Sequence, residues 1–459
     1  MMGPMLGAPT DPAPGPAPGS ASGAASAGAR ASGLVAWGPD RPAAITAIAL
    51  VALAWVVLKV LAGFAWVILP GEYGDTYYYL LRAQEAAASG TGVLSVFREY
   101  PTPAGLLLLL PWVLGADDPA QYRAAVIAMT TVADAAFTIL LGRRTGPAGV
   151  FAWILCTTVL GQLVLLRFDV FPAVVAGAAV LFALQGQQRT AAVLVALGTG
   201  LKAWPVVLAP LTLGVRDRTR AAVAFVATGT ALVVLSLLVA DVGRLLSPLG
   251  YQRDRGLQIE SVPATVPMVT WSTDTAYRVY YGSFAAYEVT GPGVPGWLRI
   301  ADAAALVGLA VCALLLALWF WRGTPRGAIG YLALACVATF VVTSRALSPQ
   351  YLLWLAAPAV VMVGVAVHEG HRRDRGGVWA TFGGLVVLCL LTTAIYPTFY
   401  NGLWQRSDRT AAALGFLVWR NVGLLAFTAW VMVLAAWTTL RPAAPEPVEG
   451  ASTRSASVP

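Results

Sequence analysis

Long apolar runs separated by short arginine-bearing loops recur from Ala43 to Leu440, and that pattern restricts the chain to folds that use a bilayer as part of their solvent. The runs fall at 44–69, 120–142, 147–166, 169–185, 190–202, 203–215, 220–240, 298–321, 327–344, 347–367, 377–396 and 411–440. Some are shorter than the roughly 20 residues that a perpendicular helix needs. Pro205 leaves 190–215 open as one kinked helix or as two. Composition agrees with a membrane chain. Hydrophobic residues make up 58% of the 459 and charged residues 11%, against roughly 45–50% and about 25% in an average globular protein. The mean hydropathy is +0.71. The expected fold class is an all-α polytopic membrane protein.

Arginines mark alternate loops: Arg41, then Arg143 and Arg144, Arg189, then Arg216, Arg218 and Arg220, then Arg322 and Arg326, then Arg372, Arg373 and Arg375, and Arg441. If all of these are cytoplasmic, twelve spans result and both termini lie inside. The intervening loops, including the long ones at 70–119 and 241–297, then face outward. Residues 1–42 and 441–459 are rich in small residues and Pro and read as disordered cytoplasmic tails flanking a membrane domain at 43–440. The net charge of +8 belongs to these loops. No basic patch interleaved with aromatics suggests nucleic-acid binding. The four cysteines, Cys156, Cys312, Cys336 and Cys389, all sit inside apolar runs, and His368 and His371 lie in a charged loop, so no metal site is expected.

Ionisable groups at membrane depth need a physical reason. Lys59 and Asp134 are expected to pair within the bundle. Arg167, Asp169, Lys202 and Arg345 all map to the outward side. Three cations at one depth with so few acids call for an anion, and a lipid-borne phosphate is the natural one. Directly after the first span comes PGEYGDTYYYLLRAQ, which carries Glu72, Asp75 and Tyr77. Asp75 can start a helix over 75–89 and can also take a proton from a sugar hydroxyl; the two roles are compatible. Residues 104–115 predict a short helix at the interface. REYPTPAG presents Tyr100. WSTDTAYRVYYGS presents Trp271, Asp274, Tyr277, Arg278 and Tyr280, either as a wall on which a sugar stacks or as an interfacial aromatic belt.

Taken in order, these stretches resemble the GT-C superfamily of polyprenyl-phosphate-sugar-dependent glycosyltransferases, and within it glycosyltransferase family 87, the α-1,2-mannosyltransferases of actinobacteria. The resemblance rests on the Asp75 segment, YPTP at Tyr100–Pro103, RFDVFP at Arg167–Pro172, GLKAWP at Gly200–Pro205 and SPQYLLW at Ser348–Trp354, and it covers 44–367.

The resemblance implies a GT-C-like bundle of about twelve transmembrane helices, with short juxtamembrane helices in the first outer loop. It implies a polyprenyl-phosphate-sugar donor, with mannose as the expected sugar, and a lipid or glycan acceptor on the extracytoplasmic face of the cell membrane. Asp75 maps onto the family's catalytic base, and Arg167, Lys202 and Arg345 onto groups that hold the donor phosphate. Glu72, Tyr77, Tyr100, Asp169, Trp271, Asp274, Arg278 and Gln350 would contact substrate. Asp75 stands apart from Glu72 and forms no DxD or ExD pair with it, so no cofactor is expected and a divalent metal is not indicated. One base and a phosphate leaving group predict a single displacement with inversion, and Asp169 is expected to pair with Arg167. The alternative reading is a polytopic transporter or lipid flippase; against it, the two halves show no internal repeat. A scaffold that has kept the fold without the activity is a third reading.

Overall fold

A computed structural model of the chain describes residues 50, 52–61, 74–90, 95–214, 217–370 and 375–441. The expected tails at 1–42 and beyond Arg441, the later part of the first span and Glu72 lie outside the described residues.

The local sequence sets the helix limits. Asp118 caps the Pro119–Thr145 helix by accepting from the amides of Ala120 and Gln121, and Pro119 fills the first position, where no amide donor is missed. Arg143 and Arg144 close the last turn, where the helix dipole favours cations. Gly146, at φ 70°, turns the chain into the next helix, Pro147–Leu160. Lys59 and Asp134 do pair, 3.1 Å apart, and Asp134 also accepts from the indoles of Trp55 and Trp153.

Seven helices among the described residues are long and apolar enough to cross a membrane, and four shorter apolar helices accompany them. The fold is an all-α polytopic membrane protein. At its centre the Leu352–His368 helix packs against Val170–Leu184, Pro147–Leu160, Arg375–Thr393 and Ile329–Thr343, and it is buried on nearly every side. Such a helix has no polar stripe because it meets protein all round. Arg218–Val239 and Val294–Trp321 instead expose most of their apolar residues, as faces turned to lipid do. Small residues let the central helices approach closely. A Cβ on Gly364 would stand 2.4 Å from Thr145 Oγ1 and 3.1 Å from the Gly149 Cα.

One expected span is corrected. Of the expected span 203–215, the described residues 203–214 do not form a crossing helix. Gln188–Leu201 ends at Lys202, whose backbone is extended, and the chain resumes as the 3₁₀ helix Trp204–Thr212. Nine residues at about 2 Å each reach roughly 18 Å, well short of a ~30 Å hydrocarbon layer. Pro205 and Pro210 explain the form, since each removes an amide donor that an α-helix would use.

The two long loops build the structure around the site. The first supplies the helices Gly74–Ser89 and Thr102–Val113. The second supplies the helix Val242–Arg253 and a small antiparallel sheet in the order Leu257–Gln258, Tyr287–Thr290, Arg278–Tyr281. Gln258 N donates to the Arg345 carbonyl at 3.0 Å, tying the sheet to the bundle.

Candidate active site

Asp75 lies in the first turn of the Gly74–Ser89 helix, where a carboxylate complements the helix dipole. Its Oδ1 is ion-paired with Arg167, on the short connection between two central helices. Among the described residues its Oδ2 has only the Tyr79 hydroxyl nearby, at a long 3.4 Å. The side chain is 29% exposed, so the acid can be reached. Arg167 is held on its far side by the Tyr396 hydroxyl, 3.0 Å away, and by that ring, 5.4 Å from the guanidinium. Burial pushes the Tyr79 and Tyr100 hydroxyls well above their ordinary range, so both remain protonated; they lie 3.1 Å apart.

These groups line a polar cavity of about 310 Å³, near the lower end of what small-ligand sites enclose. Both loops and the bundle contribute to it. Tyr78, Glu99 and Tyr100 come from the first loop, Tyr251, Arg255, Glu260, Tyr281 and Tyr287 from the second, and Gln350, Tyr351, Tyr396 and Tyr400 from the later helices. Glu99 accepts from the Tyr78 hydroxyl at 3.0 Å, and burial raises its carboxyl above the usual carboxylate range. Glu260 is fully buried. Burial raises it too, while Arg420 and Gln258 favour its charged form. Arg420 Nη1 lies 2.8 Å from Glu260 Oε2, and Oε1 makes no hydrogen bond.

A second cavity of about 570 Å³ adjoins the first. Its lining is rich in apolar side chains, Trp204, Pro248, Phe340 and Trp354 among them. Glu99, Lys202 and Tyr351 line both cavities. Lys202 Nζ sits 5.0–5.4 Å from the rings of Tyr100, Tyr351 and Trp354 and 2.7 Å from Asp169 Oδ1.

Of the residues singled out in the sequence, Asp75, Tyr100, Arg167, Lys202 and Gln350 line the polar cavity. Arg345 lines the second one, where it forks onto Asp302 at 2.9 and 2.5 Å. Asp169 lines neither. It is wholly buried and accepts from Lys202 and from the Trp354 indole. The expected Asp169–Arg167 pair is corrected, because Arg167 pairs with Asp75 and Asp169 with Lys202. The premise of surplus cations is corrected with it. Arg167, Lys202 and Arg345 each have a carboxylate partner, and that of Arg345, Asp302, lies near the start of a long apolar run that gives no sign of the pairing.

The proposed aromatic wall also lies elsewhere. Trp271 is buried in a core beneath the sheet, with Arg406 clasping its carbonyl. Asp274 sits in an exposed turn, where it accepts from the Ala276 amide. Arg278 is on an exposed strand edge, and Tyr77 is 47% exposed. None of these four lines either cavity. The aromatics at the cavity are Tyr281, Phe284 and Tyr287, a few positions further along the same hairpin, with Tyr396 and Tyr400. The second pair follows a visible signal, since YPTF at 396–399 nearly repeats the YPTP at 100–103. Glu99, Arg255 and Glu260 had no such marker.

Among the described residues no group of three His, Cys, Asp or Glu side chains lies close enough to share a metal ion. Chemically, the cavity offers a reachable carboxylate, protonated phenols and amides suited to sugar hydroxyls, and cations suited to an anion.

No curated protein matches the chain. The model of glycosyltransferase family 87 matches residues 97–349, more than half of the chain and the stretch holding Tyr100, Arg167, Lys202 and Arg255. On that match the chain belongs to glycosyltransferase family 87.

Proposed function

We propose that this membrane glycosyltransferase moves mannose from a polyprenyl-phosphate-mannose donor to a hydroxyl of a lipid or glycan acceptor at the extracytoplasmic face, with inversion at the anomeric carbon. The observation that carries the reading is Asp75, a reachable carboxylate at a polar cavity with one oxygen fixed by Arg167 and the other free of any short hydrogen bond.

In this reading Asp75 Oδ2 takes the proton of the acceptor hydroxyl as its oxygen forms the bond to the anomeric carbon. The bond from that carbon to the phosphate oxygen breaks, and its electron pair leaves with the polyprenyl phosphate. The phosphate is a good leaving group without a general acid, so one base is enough. Arg167 is a positioning residue that holds Asp75 in one orientation. Tyr100 and Gln350 offer hydrogen bonds to sugar hydroxyls, and the ring-lined Lys202 stands between the polar compartment and the apolar one, where a prenyl chain fits. Neither a metal nor a cofactor enters this scheme.

The test is a donor panel. Purified protein receives polyprenyl-phosphate-linked mannose, arabinose or glucose, and the product's anomeric configuration is read by NMR. Transfer of mannose with inverted configuration is expected; retained configuration, or transfer of another sugar only, contradicts it.

A further inference from the structure

We propose that Arg255 grips the phosphate of the lipid-linked donor, a role that rests on the transferase reading above. Among the described residues three cations line the polar cavity. Arg167 is neutralised by Asp75 and Lys202 by Asp169. The Arg255 guanidinium forms neither an ion pair nor a hydrogen bond with any described residue, although the side chain is only 9% exposed and its Nε is buried without a partner.

Among the described residues none of the acids around it forms an ion pair with it, although Glu288 Oε1 is itself buried without a hydrogen bond. Asp254 is exposed. Glu288 lies against Gly256, where its Oε2 accepts from the Tyr280 hydroxyl at 2.9 Å, and it makes no ion pair with Arg255. A largely buried guanidinium with unused donors is costly unless an anion meets it. Its planar fork of five N–H groups matches the oxygens of a phosphate.

The place suits the chemistry. The Arg255 carbonyl accepts from Arg345 Nη1 at 3.2 Å, so this segment adjoins the Arg345–Asp302 pair of the second cavity while the side chain lines the first, as Asp75 does. The donor is a phosphodiester with one negative charge. When the bond to the sugar breaks, the electron pair stays on the phosphate, which becomes a monoester of higher charge. A cation not already neutralised by protein acid gains attraction over that step, whereas Arg167 or Lys202 would have to share its charge with Asp75 or Asp169.

The experiment measures binding of sugar-free polyprenyl phosphate to purified wild type, Arg255→Gln, Arg255→Lys and Glu288→Gln, beside initial rates with donor and acceptor varied separately. The expected result is at least tenfold weaker binding and a matching rise in donor KM for Arg255→Gln, partial recovery in Arg255→Lys, and an unmoved acceptor KM. Unchanged binding and donor KM in an Arg255→Gln protein that still transfers would overturn this role alone. So would a shift confined to the acceptor KM. Equal losses of Tm in Arg255→Gln and Glu288→Gln with donor binding intact would mark a structural pair, and overturn it as well. A wild type that neither binds the lipid phosphate nor transfers sugar would contradict the donor assignment itself, and this role with it.

Discussion

Asp75 and Arg167 form an ion pair at the cavity wall, and Arg167 also donates to the Tyr396 hydroxyl at 3.0 Å. One guanidinium therefore joins the acid in the first turn of a loop helix to a late segment of the bundle. A lysine offers a single point of charge and cannot reproduce the fork. Arg167→Lys is expected to lower kcat by roughly 10–100-fold, since a misplacement of about 1 Å can cost on the order of 100-fold, while donor KM moves by less than about threefold. Initial-rate kinetics check it; a rise in KM with kcat unmoved would place Arg167 on the substrate.

Glu99 makes stability depend on pH. Burial raises its carboxyl above the usual range. A raised folded value means that the folded state favours the protonated form. The associated stability is complete below the unfolded value, about 4.3, and is lost as pH rises through the folded one. Glu99→Gln removes that loss and keeps an acceptor for the Tyr78 hydroxyl. It should raise Tm at neutral pH and flatten the fall of Tm above the acidic range. Glu260 is raised in the same direction, so part of the slope stays. Parallel Tm-against-pH curves for variant and wild type would contradict this.

Gly364 has no room for a side chain, with Thr145 Oγ1 and the Gly149 backbone where a Cβ would go. Gly364→Ala should cost about 1–3 kcal/mol by overpacking and lower Tm in detergent. Gly229, which faces open space, is the control and should tolerate alanine.

Arg420 and Glu260 form a fully buried pair, with Arg420 also reaching the Glu260 carbonyl at 2.5 Å and Asn421 Oδ1 at 3.1 and 3.0 Å. Removing one partner strands the other. Arg420→Met should cost about 3–5 kcal/mol, and adding Glu260→Gln should restore part of that. A double variant no more stable than the single one would contradict the coupling.

Much of this fold can be read from the sequence because apolar runs, helix starts and breaks are local. Asp118–Pro119 opens a helix and Gly146–Pro147 joins two, each by chemistry within a few residues. The strip at 203–215 misleads because it has the hydropathy of a span while its prolines permit only a short 3₁₀ helix. The site is harder to read, since pairing is a matter of tertiary placement. Arg167 and Asp169 are sequence neighbours, yet each takes its partner from another element. Asp302 cancels Arg345 from within an apolar helix. The residues at the cavity, Tyr281 and Tyr287, belong to the same hairpin as the expected Arg278, but strand pairing and not aromatic density decides which side chains reach it. Arg255 looks like any loop arginine until its side chain is found at the polar cavity with no carboxylate paired to it among the described residues.

The central claim is that Asp75 is the base of a mannose transfer, and the most direct measurement is transfer of labelled mannose from polyprenyl-phosphate-mannose by purified wild type and Asp75→Asn. Asparagine keeps the size of the side chain and removes the proton acceptor, so transfer should fall by about 10²–10⁴-fold while the variant stays folded by Tm and still binds polyprenyl phosphate. An Asp75→Asn protein that transfers mannose at the wild-type rate would contradict the account.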